Sequence, residues 1–316
     1  MSDPKVAALG GGHGLYATLS ALRTITRELT AIVTVADDGG SSGRIRRELP
    51  VLPPGDLRMA LAAMAGTEAG EQYWARVLQH RLGGTGGLSG HPIGNLVLTG
   101  LLERESDAVR ALARLGELVG AVGRVLPMSP VPLDLVAQVD RFDPDDPERT
   151  REIRGQSSIA VTPGRVRSVA LLPAGAPACA LAVDAVREAD AVVLGPGSWF
   201  TSVIPHLLLH ELGSALATTD ARVIVTMNLV PQVGETDDYG PSDLLRILID
   251  HARPHGGLKI DAVIADNAAV PDVCQFRGFI HELGARLVLS DLSADDSAER
   301  HDPIRLATAL RDALTG

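Results

Sequence analysis

Aromatic side chains are scarce: Phe, Trp and Tyr make up 3% of the 316 residues, whereas hydrophobic residues as a group reach 45%. The core therefore has to come from Val, Ile, Leu and Ala, a composition suited to strands buried on both faces of a parallel sheet. Only two cysteines occur, Cys179 and Cys274, and they form no C-x-x-C pair. That gives no basis for a disulfide framework or a thiolate zinc site, and a reducing compartment is the simpler reading. No apolar run approaches the roughly 18 residues of a membrane span. The first apolar segment, residues 6–9, is too short for a signal-peptide core. The expectation is a cytoplasmic protein with no membrane partner. Positive charge is also in deficit, with 29 Lys and Arg against 39 Asp and Glu and a net charge of -10. Nucleic acid is therefore not an expected partner, because attraction to the phosphate backbone dominates such binding.

Glycine, by contrast, is plentiful at 33 residues, and it clusters where apolar segments end. Residues 6–9 read as a buried strand, 10–14 as a glycine loop, 15–25 as a helix and 29–35 as a second strand. This is a βαβ unit, whose strands run parallel. Helices are expected at 56–64, 73–82, 93–102 and 108–119. From 124 to 170 the pattern shifts to short alternating runs among Pro and Asp, which reads as a small antiparallel insertion with an exposed turn at 143–147. Strands then alternate with helices: strands at 191–194, 222–227, 262–265 and 286–289, helices at 202–216, 242–251, 273–283 and 303–314. The fold class is α/β, a doubly wound and mostly parallel sheet with a Rossmann-like core, in one domain over 1–316.

The loops carry the chemistry. Gly11, Gly12, His13 and Gly14 follow the first strand and open a helix, where bare backbone N–H groups and the helix dipole suit phosphate. Gly12-x-Gly14-x-x-Ala17 with Asp37 also fits a relaxed dinucleotide fingerprint, a rival reading. The run 36–44 brings Asp37, Asp38, Ser41, Ser42 and Arg44 to the end of the second strand. Its carboxylates suit sugar hydroxyls or Mg²⁺, and its hydroxyls and Arg44 suit phosphate. The same run matches G-x-S-x-G, but Ser41 stands several residues beyond the strand, against a nucleophile elbow. Asp56 and Arg58 open the next helix, Asp56 reading equally as a cap. His91 and Asn95 lie one helical turn apart and share a face. After the strand at 191–194 come Gly195, Gly197, Ser198 and Thr201, with Trp199 and Phe200 either stacking on a ligand or covering the core. Asn228 begins a long polar loop, and Arg300 precedes the last helix.

Taken together, GGGHGL, VTVADDGGSSGR, PPGDLR, GHPIGN, GRVLP, RGQSSIA, VLGPGSWFTS and NLVPQVGET resemble the YvcK family of bacterial gluconeogenesis factors. That family belongs with the CofD-like phospholactate transferases. The resemblance implies a cytoplasmic protein that binds UDP-sugars such as UDP-N-acetylglucosamine and affects cell shape and growth on gluconeogenic carbon sources, with no settled reaction. By motif it implies a site of Gly11, Gly12, Gly14, Asp37, Asp38, Ser41, Ser42, Arg44, Gly197, Ser198 and Asn228, with Arg300 matching a basic residue before the last helix. His13 stands where the family pattern has threonine. The transferase branch implies the alternative, movement of a phospholactyl-type group from a nucleotide diphosphate adduct to a deazaflavin, with Mg²⁺ at Asp37 and Asp38. No other cofactor is expected. A homodimer is the default assembly.

Overall fold

The computed structural model describes residues 3–143, 146, 149–232 and 234–315; most of the turn expected at 143–147 lies outside them. In chain order the strands are Val6–Gly10 (β1), Leu29–Val33 (β2), Arg124–Pro127 (β3), Asp134–Asp140 (β4), Arg151–Arg154 (β5), Arg165–Leu172 (β6), Ala191–Leu194 (β7), Arg222–Thr226 (β8), Ala262–Asp266 (β9), Arg286–Ser290 (β10), Ser293–Ala294 (β11) and Ser297–His301 (β12). Seven of them form one parallel sheet in the order β10-β9-β8-β7-β1-β2-β3. Strands β1, β2, β7 and β9 are buried at every position, as strands covered by helices on both faces must be.

The chain winds outward from β1 through β2 to β3, then returns to the other side of β1 with β7 and runs on to β10. Neighbours β1 and β7 pair from Val6↔Ala191 to Leu9↔Leu194. Their connections diverge at the carboxyl edge, which makes this pair the topological switch point where open α/β sheets bind ligands.

The insertion is a three-stranded antiparallel sheet, β5-β4-β6, over 134–172 rather than 124–170. Residues Arg124–Pro127 instead pair in parallel with β2, from Thr30↔Arg124 to Val33↔Pro127, and close the edge of the main sheet. In β4 burial alternates strictly, one face on the core and one outward, which is the origin of its alternating sequence.

Helices stand where periodicity placed most of them: Gly12–Leu22, Pro54–Ala63, Ala69–Gln79, Ile93–Glu105, Ala108–Leu118, Pro241–Ala252, Val273–Glu282 and Pro303–Thr315. The single helix expected at 202–216 is instead a π-helical turn, Trp199–Val203, followed by Pro205–Leu208 and His210–Thr218. Gly40–Glu48 is helical, as is Ala180–Arg187, and neither was expected. Among the described residues no helix is long and apolar enough to cross a membrane.

Candidate functional site

Two glycine loops leave the switch point and touch. A Cβ built on Gly14 would overlap the Pro196 carbonyl and lie 2.6 Å from the Gly197 Cα, so the first turn of the helix after β1 packs on the loop after β7. That second loop needs left-handed backbone at Gly195 (φ 72°) and Gly197 (φ 137°), which glycine adopts without a Cβ penalty. Thr18 Oγ1 donates to the Gly195 carbonyl at 3.0 Å. Asn228 clamps Gly197 from both sides: its Oδ1 accepts from the Gly197 N–H at 2.8 Å and its Nδ2 donates to the Gly197 carbonyl at 2.9 Å.

His13, Gly14, Gly197, Asn228 and Arg300 line a single cleft of about 410 Å³ over this junction. A neighbouring cavity of about 460 Å³ shares His13 and Arg300 and reaches Tyr16 and Asp296 beneath the β11–β12 hairpin. Arg300 forms an ion pair with Asp296 on that hairpin.

On the other side of the first glycine loop, two carboxylates meet. Gly11 has no room for a side chain: a Cβ there would lie 2.5 Å from Thr34 Cγ2 and 2.6 Å from Asp56 Oδ2. A Cβ on Gly55 would lie 2.6 Å from Ser42 Oγ and 2.8 Å from Asp37 Oδ2. Burial, and then the neighbouring Asp37 charge, push the Asp56 carboxyl up to about 7, against the Gly12 N–H and Arg58, which favour its ionised form. Burial also raises Asp37, offset by its bonds from Ser42 and from the Gly39 N–H. Asp56 Oδ2 and Thr34 Oγ1 are shielded and have no hydrogen-bond partner.

These are hard oxygen donors, one of them unsatisfied, so the pair fits Mg²⁺. No group of three or more His, Cys, Asp or Glu among the described residues could hold a metal. Mg²⁺, however, is commonly held by one or two carboxylates together with ligand phosphates. Asp38 turns away from the pair: its Oδ1 accepts from the Ser157 N–H at 2.8 Å, on the connection between β5 and β6 of the insertion.

Ser41, Arg58, His91 and Asn95 form one buried chain. Arg58, 4% exposed, donates from Nε to Asn95 Oδ1 at 2.9 Å, so Asn95 Nδ2 donates to Ser41 Oγ, also at 2.9 Å. The Ser41 proton is then free for His91 Nδ1 at 2.7 Å, which assigns His91 the neutral tautomer with its proton on Nε2. Burial, with Arg44 nearby, lowers the His91 pKa and favours that neutral ring. Burial brings Arg58 down to about 10. Arg44 is spent on the glycine-rich loop, donating to the Ser89 carbonyl at 2.8 Å.

Trp199 and Phe200 are both 0% exposed and belong to the core, with Trp199 Nε1 donating to the Leu244 carbonyl at 2.9 Å. Ser198 stays half-buried next to the cleft residue Gly197, whereas Thr201 is buried beneath it, and both are tied to a residue that was not singled out, Glu235. It accepts from Ser198 Oγ and from the Phe200 N–H at 2.8 Å. An acid between Gly234 and Thr236 in the NLVPQVGET run was the available signal. Gln156, from the insertion, reaches Thr201 Oγ1 at 3.4 Å.

A seven-stranded doubly wound sheet with a glycine-lined cleft at its switch point defines a Rossmann-like α/β protein, an architecture that binds ligands at that point. The chain belongs to the CofD family, described as 2-phospho-L-lactate transferase CofD, whose family model matches residues 6–291. Among its relatives is a "Putative gluconeogenesis factor" of Mycobacterium tuberculosis, 52% identical over 308 residues, covering 96% of this chain and 89% of the relative. A "Gluconeogenesis factor" of Listeria innocua is 36% identical over 320 residues, covering 98% and 95%. A crystal structure of a UPF0052 family member from Bacillus halodurans superposes with a TM-score of 0.86 at 31% identity, covering 98% of this chain and 99% of that one.

Proposed function

We propose that the protein is a cytoplasmic regulatory protein that binds a UDP-sugar such as UDP-N-acetylglucosamine in the switch-point cleft, with a role in gluconeogenic growth and cell shape. The observation that carries this reading is the abutment of the Gly14 and Gly197 loops under one cleft. The glycines let a ligand approach the junction closely, and the N–H groups that open the helix after β1 suit a diphosphate there. His13, Asn228 and Arg300 frame the cleft. Asp37 and Asp56 are the residues that would hold Mg²⁺, which supplies positive charge to the ligand phosphates. Without that charge, two carboxylates beside a diphosphate repel it. Calorimetric titration with UDP-N-acetylglucosamine, with and without Mg²⁺, should give saturable binding without turnover. No heat with any UDP-sugar at millimolar concentration would overturn the reading.

A second reading, transfer of a phospholactyl-type group to a deazaflavin, is favoured by the description of the matching family. Release of a nucleoside monophosphate only when deazaflavin is present would select it over simple binding.

A further inference from the structure

The turn after β7 has a fixed count of protons. Glu235 is 4% exposed. Its Oε1 accepts from the backbone N–H groups of Phe200 at 2.8 Å and Thr201 at 3.2 Å. Both of its oxygens lie against Ser198 Oγ, at 2.7 and 2.6 Å. Burial raises the Glu235 pKa, while the bonds from Ser198 and from the Phe200 and Thr201 N–H groups favour its ionised form. Backbone N–H groups only donate, and the ionised carboxylate that they favour only accepts, so the single Ser198 proton is committed to Glu235. Ser198 Oγ also contacts Thr201 Oγ1. With no second proton on Ser198, Thr201 must be the donor there. The Thr201 oxygen is left to accept from Gln156 Nε2 at 3.4 Å. The Ser198 and Thr201 protons are thus both used within the protein, and half-buried Ser198 keeps a lone pair to offer.

We infer that Glu235 is a positioning residue that fixes this polarity, so that Ser198 meets a ligand as a hydrogen-bond acceptor and selects a donor, a hydroxyl or amide N–H, over a phosphate oxygen. The inference rests on the nucleotide-sugar reading and orients that ligand: the sugar lies against Ser198, and the diphosphate against the Gly11 to Gly14 loop. A phosphate oxygen at Ser198 would face a lone pair with a carboxylate directly behind it. This reverses the role of phosphate donor that the Ser198 hydroxyl has by residue type alone.

The test is calorimetric titration of the wild type, Glu235→Gln and Ser198→Ala with UDP-N-acetylglucosamine, UDP and inorganic pyrophosphate. A glutamine at 235 can donate its amide to Ser198 and release the serine proton. Both variants should bind UDP-N-acetylglucosamine about tenfold more weakly, the weight of one hydrogen bond. Ser198→Ala should bind UDP and pyrophosphate within about twofold of the wild type, and Glu235→Gln should bind pyrophosphate at least as well. A uniform loss across the three ligands in Ser198→Ala, or unchanged sugar binding, overturns the inference and leaves the nucleotide-sugar reading intact. If the wild type binds pyrophosphate but no UDP-sugar, the reading fails and the inference that orients its sugar fails with it. No binding of any of the three to the wild type overturns both. Should Glu235→Gln not fold, judged by thermal unfolding, Ser198→Ala carries the test alone.

Discussion

Gly14 and the Pro196 carbonyl meet with no space for a side chain between them. The obstacle is backbone on both sides, not the tip of a flexible side chain, so neither partner yields cheaply. Gly14→Ala should destabilise the fold by about 1–3 kcal/mol, the usual cost of overpacking. It should also weaken UDP-sugar binding more than tenfold by parting the two loops. Denaturant unfolding and titration calorimetry measure the two effects; an alanine with wild-type values in both would show that the loops are not in contact.

Asn228 touches Gly197 with two hydrogen bonds and holds the second loop in its left-handed conformation. Asn228→Ala removes both and should cost about 1–3 kcal/mol. Asn228→Asp keeps the acceptor and loses the donor, so its loss should be intermediate. Equal losses in the two variants would assign the effect to something other than this clamp.

Asp56 gives the stability a pH signature. Its carboxyl sits at about 7 in the fold, raised from an ordinary 3.8 by burial and by Asp37, against Arg58 and the Gly12 N–H. A carboxyl raised in the folded state favours folding while it is protonated, so its contribution is complete below about pH 4 and is lost as pH rises to about 7. Asp56→Asn should therefore be more stable than the wild type at pH 8, by up to about 4 kcal/mol, and gain little at pH 4. Thermal unfolding at the two pH values decides; a gain that does not grow with pH would contradict it. The same variant should lose any Mg²⁺ dependence of ligand binding.

His206 works in the opposite direction. It is 0% exposed, with its nitrogens 3.2 Å from the Val203 carbonyl and 3.1 Å from the Ile32 carbonyl. Burial lowers its pKa from 6.5 to about 4, outweighing the two carbonyls, which favour the protonated ring. The folded state therefore holds a neutral ring that the unfolded chain would protonate, and stability falls as pH drops from about 6.5 towards 4. His206→Gln should lose about 2 kcal/mol less than the wild type between pH 7 and pH 5. Parallel pH profiles for the two proteins would refute the assignment.

The parallel core was readable because its strands are uninterrupted runs of Val, Ile, Leu and Ala that stop at glycine, a pattern that survives without any tertiary information. The helix Gly40–Glu48 was not, because Ile45 is the lone aliphatic side chain in GSSGRIRRE and there is no apolar stripe to detect. Packing holds it instead: a Cβ on Gly43 would collide with the Asp38 backbone. Arg124–Pro127 was grouped with the insertion because four residues are too few to reveal which sheet they join, and only the pairing with β2 settles that. The site loops were legible from glycine and residue type, but their internal partners were not. The Asp37 charge acts on Asp56, which lies in the helix Pro54–Ala63, and Glu235 takes the Ser198 proton from a loop 37 residues away.

Asp38 and Ser157 are 119 residues apart in sequence, yet their hydrogen bond brings the β5–β6 connection of the insertion to the acidic loop after β2. A contact of such long separation carries a larger loop-closure cost than the local helices or the β1–β2 unit. Ligand affinity thus becomes a gauge of completed assembly: a chain weakened in the insertion should retain its helical circular dichroism while binding fades.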